Sequence, residues 1–129
     1  MPAMADPAEM RATVEQYTQR HSAGDVAGIV ALFAADCRIE DPIGSEAHVG
    51  TDAATAFFTS SHELADQIEL SLTGTVRVAG SMAAFPMQVI STLGDTKLRI
   101  PIIDVMEFDG DGKIADMKAY WSFDDATPV

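Results

Sequence analysis

The sequence predicts an α+β domain in which a curved antiparallel sheet packs against N-terminal helices. Apolar residues in the first half recur at spacings of three and four. From about residue 68 they alternate instead, in long runs broken by turn residues. Helices first and an antiparallel meander afterwards define this class, with the helices covering part of the sheet's inner face. One end of such a cone packs, and the open end makes a pocket.

The first helix is expected to start at Asp6-Pro7-Ala8-Glu9, which places an acceptor at the cap, proline in the first turn and a carboxylate three residues on. Met10, Val14, Tyr17 and His21 then share one stripe, so Tyr17 points inward, and Gly24 offers a stop. Asp25 caps a second, short helix whose buried face is Ile29, Val30, Leu32 and Phe33. Residues 37–41 alternate as a short strand ended by Pro42, which cannot donate to a ladder. Asp41 therefore sits at a strand end in phase with Cys37 and Ile39. Residues 43–50 read as loop, and residues 51–64 as a third helix carrying Ala54, Phe57 and Phe58. Strands are predicted over 68–78, 83–93, 97–108 and 113–123, separated by Ala79-Gly80-Ser81, Gly94-Asp95 and Asp109-Gly110-Asp111-Gly112.

A chain of 129 residues with 47% apolar content suits one domain with one core, residues 1–129. The formal net charge of −12 repels phosphates, which argues against nucleic acid and fits an acidic, soluble protein. Cys37 is the single cysteine and is expected to be a buried small hydrophobe; no internal disulfide can form. No apolar run reaches membrane-span length and the start lacks signal-peptide order, so no membrane partner and a cytoplasmic location are expected.

Asp104 is the most informative residue, because the phase of its strand can be counted on both sides. Leu98, Ile100, Ile102, Met106 and Phe108 share its face, while Arg99, Pro101, Ile103, Val105 and Glu107 point the other way. Burial in an apolar row disfavours the charged form, so the expected species is a neutral acid able to donate a hydrogen bond. The alternative is a structural aspartate satisfied by backbone amides or an arginine. Tyr17 supplies a second inward donor, although a buried tyrosine by itself commonly just finds a partner. Asp41 is a third inward polar group, at a site where loop backbone leaves it partly solvated and ionised; its alternative role is a turn cap. Two carboxylates in opposite protonation states are what general acid-base chemistry needs.

Tyr17, the run Glu40-Asp41-Pro42-Ile43-Gly44 and the run from Pro101 to Phe108 together resemble the bacterial ketosteroid isomerases. Ala23-Gly24-Asp25, the run from Gly28 to Ala34 and Met117-Lys118-Ala119-Tyr120-Trp121 are similar to family stretches in the same order, so the likeness covers nearly the whole chain. The resemblance implies a cone-shaped fold of the nuclear transport factor 2-like superfamily. It implies a steroid substrate, isomerised from a 3-oxo-Δ5 to a conjugated 3-oxo-Δ4 form without metal or cofactor. It also implies that Asp41 moves the proton from C4 to C6 while Tyr17 and protonated Asp104 stabilise the oxyanion, the family being the standard case of a neutral aspartate donor. Met87, Met117, Ala119 and Trp121 match positions lining the ring slot, the last three sharing a strand face by period-two counting; ordinary core is equally consistent with that pattern. A homodimer is implied as well. Phe58 and Phe33 stand where some members carry tyrosines, which shortens the hydrogen-bond network behind Tyr17. The rivals are a cyclase-like or epoxide hydrolase-like chemistry of the same superfamily, and a binding module for an apolar ring compound.

Asp109-Gly110-Asp111-Gly112 lacks the later ligands and terminal glutamate of a calcium loop and reads as a hairpin turn. His21, His48 and His62 form no metal motif; His21 lies on the Tyr17 stripe, either lining the pocket mouth or satisfied in the core or rim. No glycine-rich phosphate loop between strand and helix is visible.

Overall fold

The computed structural model describes residues 6–129. Helix α1 (Pro7–Ser22) is capped by the Asp6 carboxylate, which accepts from the Ala8 amide, and its buried stripe is Met10, Val14, Tyr17, Thr18 and His21. It ends as the sequence predicts, with Gly24 in the left-handed region at φ 70°, a conformation glycine adopts without steric penalty. Asp25 then caps α2 (Val26–Val30) by accepting from the Gly28 amide. This helix is shorter than predicted: Leu32 and Phe33 are buried but lie beyond it, and Phe33 already starts β1 (Phe33–Glu40). Arg20 fastens the two helices by donating to the Gly28 carbonyl at 2.7 Å.

The expected loop before the third helix contains a short strand, β2 (His48–Val49), ahead of α3 (Thr51–Glu63). Strands β3 (Gln67–Leu72), β4 (Arg77–Ala79), β5 (Met82–Leu93), β6 (Thr96–Phe108), β7 (Ile114–Tyr120) and β8 (Thr127–Pro128) complete an eight-stranded sheet. Its main path runs β2-β1-β7-β6-β5-β3.

Three strand expectations are corrected. The sheet is mixed rather than wholly antiparallel, because β1 lies parallel to β7, with Ile39 opposite Met117 and Glu40 opposite Lys118. Helix α3 and strands β2 to β6 separate these two strands in sequence, and the sheet stays open, with β2 and β3 at the two ends of its main path. The single strand predicted over 68–78 is two, β3 and β4, which pair with different stretches of β5. The interruption falls opposite Pro86: Thr73 donates to the Pro86 carbonyl at 3.0 Å, so the proline nitrogen, which has no hydrogen, faces the same gap. Gly74 fits there because a Cβ would meet the Pro86 ring at 2.8 Å. Finally, β7 stops at Tyr120, short of Phe123, and the chain turns before β8 runs beside Leu98 and Arg99 of β6.

Helix α1 is pinned to the sheet through Ser22, whose hydroxyl donates to the Leu70 carbonyl and accepts from the Leu70 amide. Val14, Ile29, Cys37, Ile39, Met106 and Ile114 are wholly enclosed between helices and sheet. Removing apolar side chains of this kind from water supplies about 1.5–3 kcal/mol each before entropy is counted. No described helix is long and apolar enough to cross a membrane.

Candidate active site

Along β6 the predicted phase holds: Ile100, Ile102, Asp104, Met106 and Phe108 are buried while Arg99, Pro101, Ile103 and Glu107 are exposed. The inward face splits by depth. Its outer part, Leu98, Ile100 and Ile102, lines a cavity of about 630 Å³; its inner part is core. Such a volume lies in the range of small-molecule sites. Tyr17 and His21 of α1 and Phe57 and Ser61 of α3 form the helical wall, facing Leu70, Met87 and Val89 on the sheet. Leu64, Leu93 and Phe123 line the cavity while keeping 76%, 60% and 70% of their surface exposed, so they mark its rim.

Asp41 follows the last residue of β1 and lines the cavity. The turn behind it is held by four bonds: the Ile43 amide donates to the Ala119 carbonyl, the Gly44 amide to the Glu40 carboxylate, and both the amide and the hydroxyl of Ser45 to the Pro42 carbonyl. The Trp121 indole donates to Asp41 Oδ1 at 2.6 Å, a short charge-assisted bond. Burial raises the Asp41 pKa above its ordinary value, and the Trp121 bond and then His48 oppose the rise. Asp41 keeps intermediate exposure, in keeping with a partly solvated carboxylate at a strand end, while burial on its inner side disfavours the charged form and one indole favours it.

Asp104 has no exposed surface, and neither carboxyl oxygen has a hydrogen-bond partner among the described residues. Burial, then the nearby Asp41 charge, pushes its pKa well above the usual carboxylate value. Burial likewise drives the Tyr17 phenol well above its ordinary 10.0, with Asp104 and then Asp41 adding to the rise, so Tyr17 is a neutral donor. Phe33 and Phe58 meet its ring edge-on at 6.3 and 6.2 Å. Apolar rings thus surround Tyr17 where further hydroxyls are absent.

Tyr17, Asp41, Met87 and Trp121 therefore come together at one cavity. Asp104 is enclosed behind its wall, near enough for its charge to act on Tyr17. Met117 and Ala119 do not reach the cavity: they are buried in β7 opposite Met106 and Asp104, with 0% and 1% of their surface exposed. Sequence reasoning missed two features. Trp121 was expected as slot wall, and nothing local signals its bond to Asp41, 80 residues away. The His21 and His62 rings meet at 3.0 Å across 41 residues, a pairing no spacing could reveal.

The cavity thus brings the Asp41 carboxylate and the Tyr17 phenol to one wall-lined space, with the Asp104 carboxyl enclosed behind it. The chain belongs to the SnoaL-like domain family, whose pattern matches residues 14–117, within the nuclear transport factor 2-like superfamily. It is 36% identical over 115 residues to a steroid Δ-isomerase of Nocardioides simplex, covering 89% of this chain and 91% of that protein. The resemblance to ketosteroid isomerases read from the sequence thus extends over most of the chain. It is also 30% identical over 124 residues to the epoxide hydrolase LasB of Streptomyces lasalocidi, of which it spans 41%. A solved epoxide hydrolase/cyclase-like enzyme, SalBIII, superposes with a TM-score of 0.87 at 25% identity, over 96% of this chain and 98% of that one. The relatives are enzymes.

Proposed function

We propose that the protein is a steroid Δ5-Δ4 isomerase. The observation that carries this reading is Asp104: a carboxyl with no exposed surface and no hydrogen-bond partner among the described residues, whose pKa is pushed well up by burial and then by Asp41. Leaving a buried polar group unsatisfied costs about 1–3 kcal/mol. A ligand oxygen is the partner for which such a group is held ready. In this reading Asp41 removes a proton from C4 of a 3-oxo-Δ5 steroid, giving a dienolate whose negative charge gathers on O3. Tyr17 and Asp104 donate hydrogen bonds to O3 without losing their protons. Asp41, now protonated, returns the proton to C6, and the conjugated 3-oxo-Δ4 product leaves with the carboxylate restored.

Prearranged donors at the atom where charge develops each contribute about 10²–10³ in rate in well-studied oxyanion sites. Asp104 is enclosed before substrate enters, so the reading requires a small side-chain adjustment that brings its hydroxyl to O3, as catalytic hydrogen bonds commonly tighten on binding. Met87, Ile100, Ile102 and Val89 give the rings an apolar wall. The same reading carries the homodimer that the ketosteroid isomerase resemblance implies.

Epoxide hydrolysis or cyclisation is the second reading, favoured by LasB and SalBIII. It calls for polar groups that hold water beside the base, whereas the one side-chain hydrogen bond to Asp41 among the described residues comes from Trp121. The deciding experiment offers the purified protein a 3-oxo-Δ5 steroid and, separately, an epoxide-bearing polyether precursor, with products read by mass and NMR. Conversion of the steroid to an isomer of unchanged mass supports the proposal. Opening of the epoxide with the steroid untouched overturns it.

A further inference from the structure

The His21–His62 pair has no part in the proton transfer described above, yet its His21 lines the same cavity. His21 lies one helical turn beyond Tyr17 and lines the cavity with only 7% of its surface exposed. Its Nδ1 is engaged by His62 Nε2 at 3.0 Å. Its Nε2 has no partner among the described residues, and it is not one of the fully enclosed unsatisfied atoms, which are the two Asp104 oxygens alone. That nitrogen therefore keeps some accessible surface, on a residue that lines the cavity. The ring is fixed in place by edge-on packing against Tyr17 at 5.5 Å and Phe58 at 5.6 Å.

We propose that His21, with its tautomer set by His62, is a specificity-determining contact that hydrogen-bonds through Nε2 to a second oxygen of the ring ligand, distinct from the oxygen served by Tyr17 and Asp104. The inference rests on the reading of the cavity as a site for oxygenated apolar ring compounds. The pair adapts without changing charge. When His62 Nε2 carries the shared proton, His21 Nδ1 accepts it and His21 Nε2–H faces the cavity as a donor suited to a ketone. In the opposite tautomers His21 Nδ1 donates to His62, and the bare Nε2 accepts from a hydroxyl. Neutrality at ordinary pH follows from burial, which lowers the His21 pKa to about 4, with His62 adding to the fall. Ser61, the residue before His62, also faces the cavity, and its hydroxyl proton is committed to the Phe57 carbonyl at 2.9 Å, leaving its oxygen as an acceptor on the same wall. A ligand hydroxyl placed there has both a donor and an acceptor within the helical wall; on the sheet side Leu70 and Val89 are apolar, and the hydroxyls of Ser91 and Thr96 stand at the hairpin end of β5 and β6.

The test titrates the full chain with a 3-oxo-Δ4 steroid bearing no other oxygen, and with the same skeleton carrying one further hydroxyl or ketone at successive ring positions. Binding is followed through Trp121, the single tryptophan, which lines the cavity. The expected result is an affinity gain of about tenfold at one ring position, the scale of one neutral hydrogen bond. That gain, measured in each protein relative to the parent steroid in the same protein, falls below about threefold in His21→Leu and is partly kept in His21→Gln. In the wild-type protein, the ¹⁵N resonance of His21 Nε2 shifts with that ligand and not with the parent. An equal gain in His21→Leu with a silent Nε2 resonance overturns the proposal, as does a panel without any discriminating position. Failure of the parent steroid itself to bind overturns the proposed function, and this inference with it.

Discussion

Asp104→Leu separates stability from activity. The wild-type carboxyl is fully enclosed with both oxygens unpartnered. Replacing it with an apolar side chain of similar branching removes a desolvation cost of about 1–3 kcal/mol. The larger leucine gives back part of this against its packed neighbours, leaving a net gain of about 1–2 kcal/mol, or roughly 4–8 °C in Tm for a chain of this length. Oxyanion stabilisation falls at the same time, and turnover drops about 10²–10³-fold. The pH dependence gives an independent check. With its folded pKa raised well above 3.8, Asp104 holds a proton that the unfolded chain has released, so wild-type stability declines as pH rises from the ordinary carboxylate range towards the folded value. That decline approaches about 1.4 kcal/mol per pH unit for one group, and the leucine variant loses it. Calorimetric or urea melts of both proteins from pH 5 to 8, beside steroid turnover, measure all three effects. A variant that melts lower, keeps the wild-type pH slope and retains activity refutes the reasoning: Asp104 is then a satisfied structural aspartate.

Tyr17→Phe is expected to lower turnover by about 10²–10³-fold. It should leave the urea midpoint nearly unchanged, because the phenylalanine ring keeps the edge-on packing against Phe33 and Phe58. Trp121→Phe removes the bond that favours the Asp41 carboxylate, so the Asp41 pKa rises further and the acid limb of the kcat/KM profile moves to higher pH. A pH-rate titration of both proteins checks this, and an unmoved limb shows that the indole only fills space. Asp6→Ala deletes the cap of α1 and should cost about 1 kcal/mol by denaturant melt, with turnover per folded molecule unchanged.

The parts of this molecule legible in the sequence are those set by local periodicity. The stripe that turns Tyr17 inward, the face of β6 that buries Asp104 and the strand end that presents Asp41 each follow from counting within one element. What counting cannot supply is depth along a face and pairing between distant segments. Met117, Ala119 and Trp121 share a parity, yet the first two lie opposite Met106 and Asp104 in the core and the third emerges beyond the end of β7 into the cavity. The parallel pairing of β1 with β7 and the His21–His62 contact likewise join residues with no common local pattern. The break between β3 and β4 was detectable in principle. Pro86 stands inside an otherwise regular strand and Gly74 near the middle of its predicted partner, and a proline there denies the neighbour a hydrogen bond.

The central claim is that Asp41 carries a proton across a steroid held against Tyr17 and Asp104. Its most direct test mixes the purified protein with 5-androstene-3,17-dione and follows the ultraviolet absorbance of the conjugated enone, beside Asp41→Asn. The account expects rapid growth with the wild-type protein and loss by orders of magnitude in the variant, which still binds a phenolic steroid because its shape is kept. Equal growth with both proteins, or none with either while the phenolic steroid binds, contradicts it.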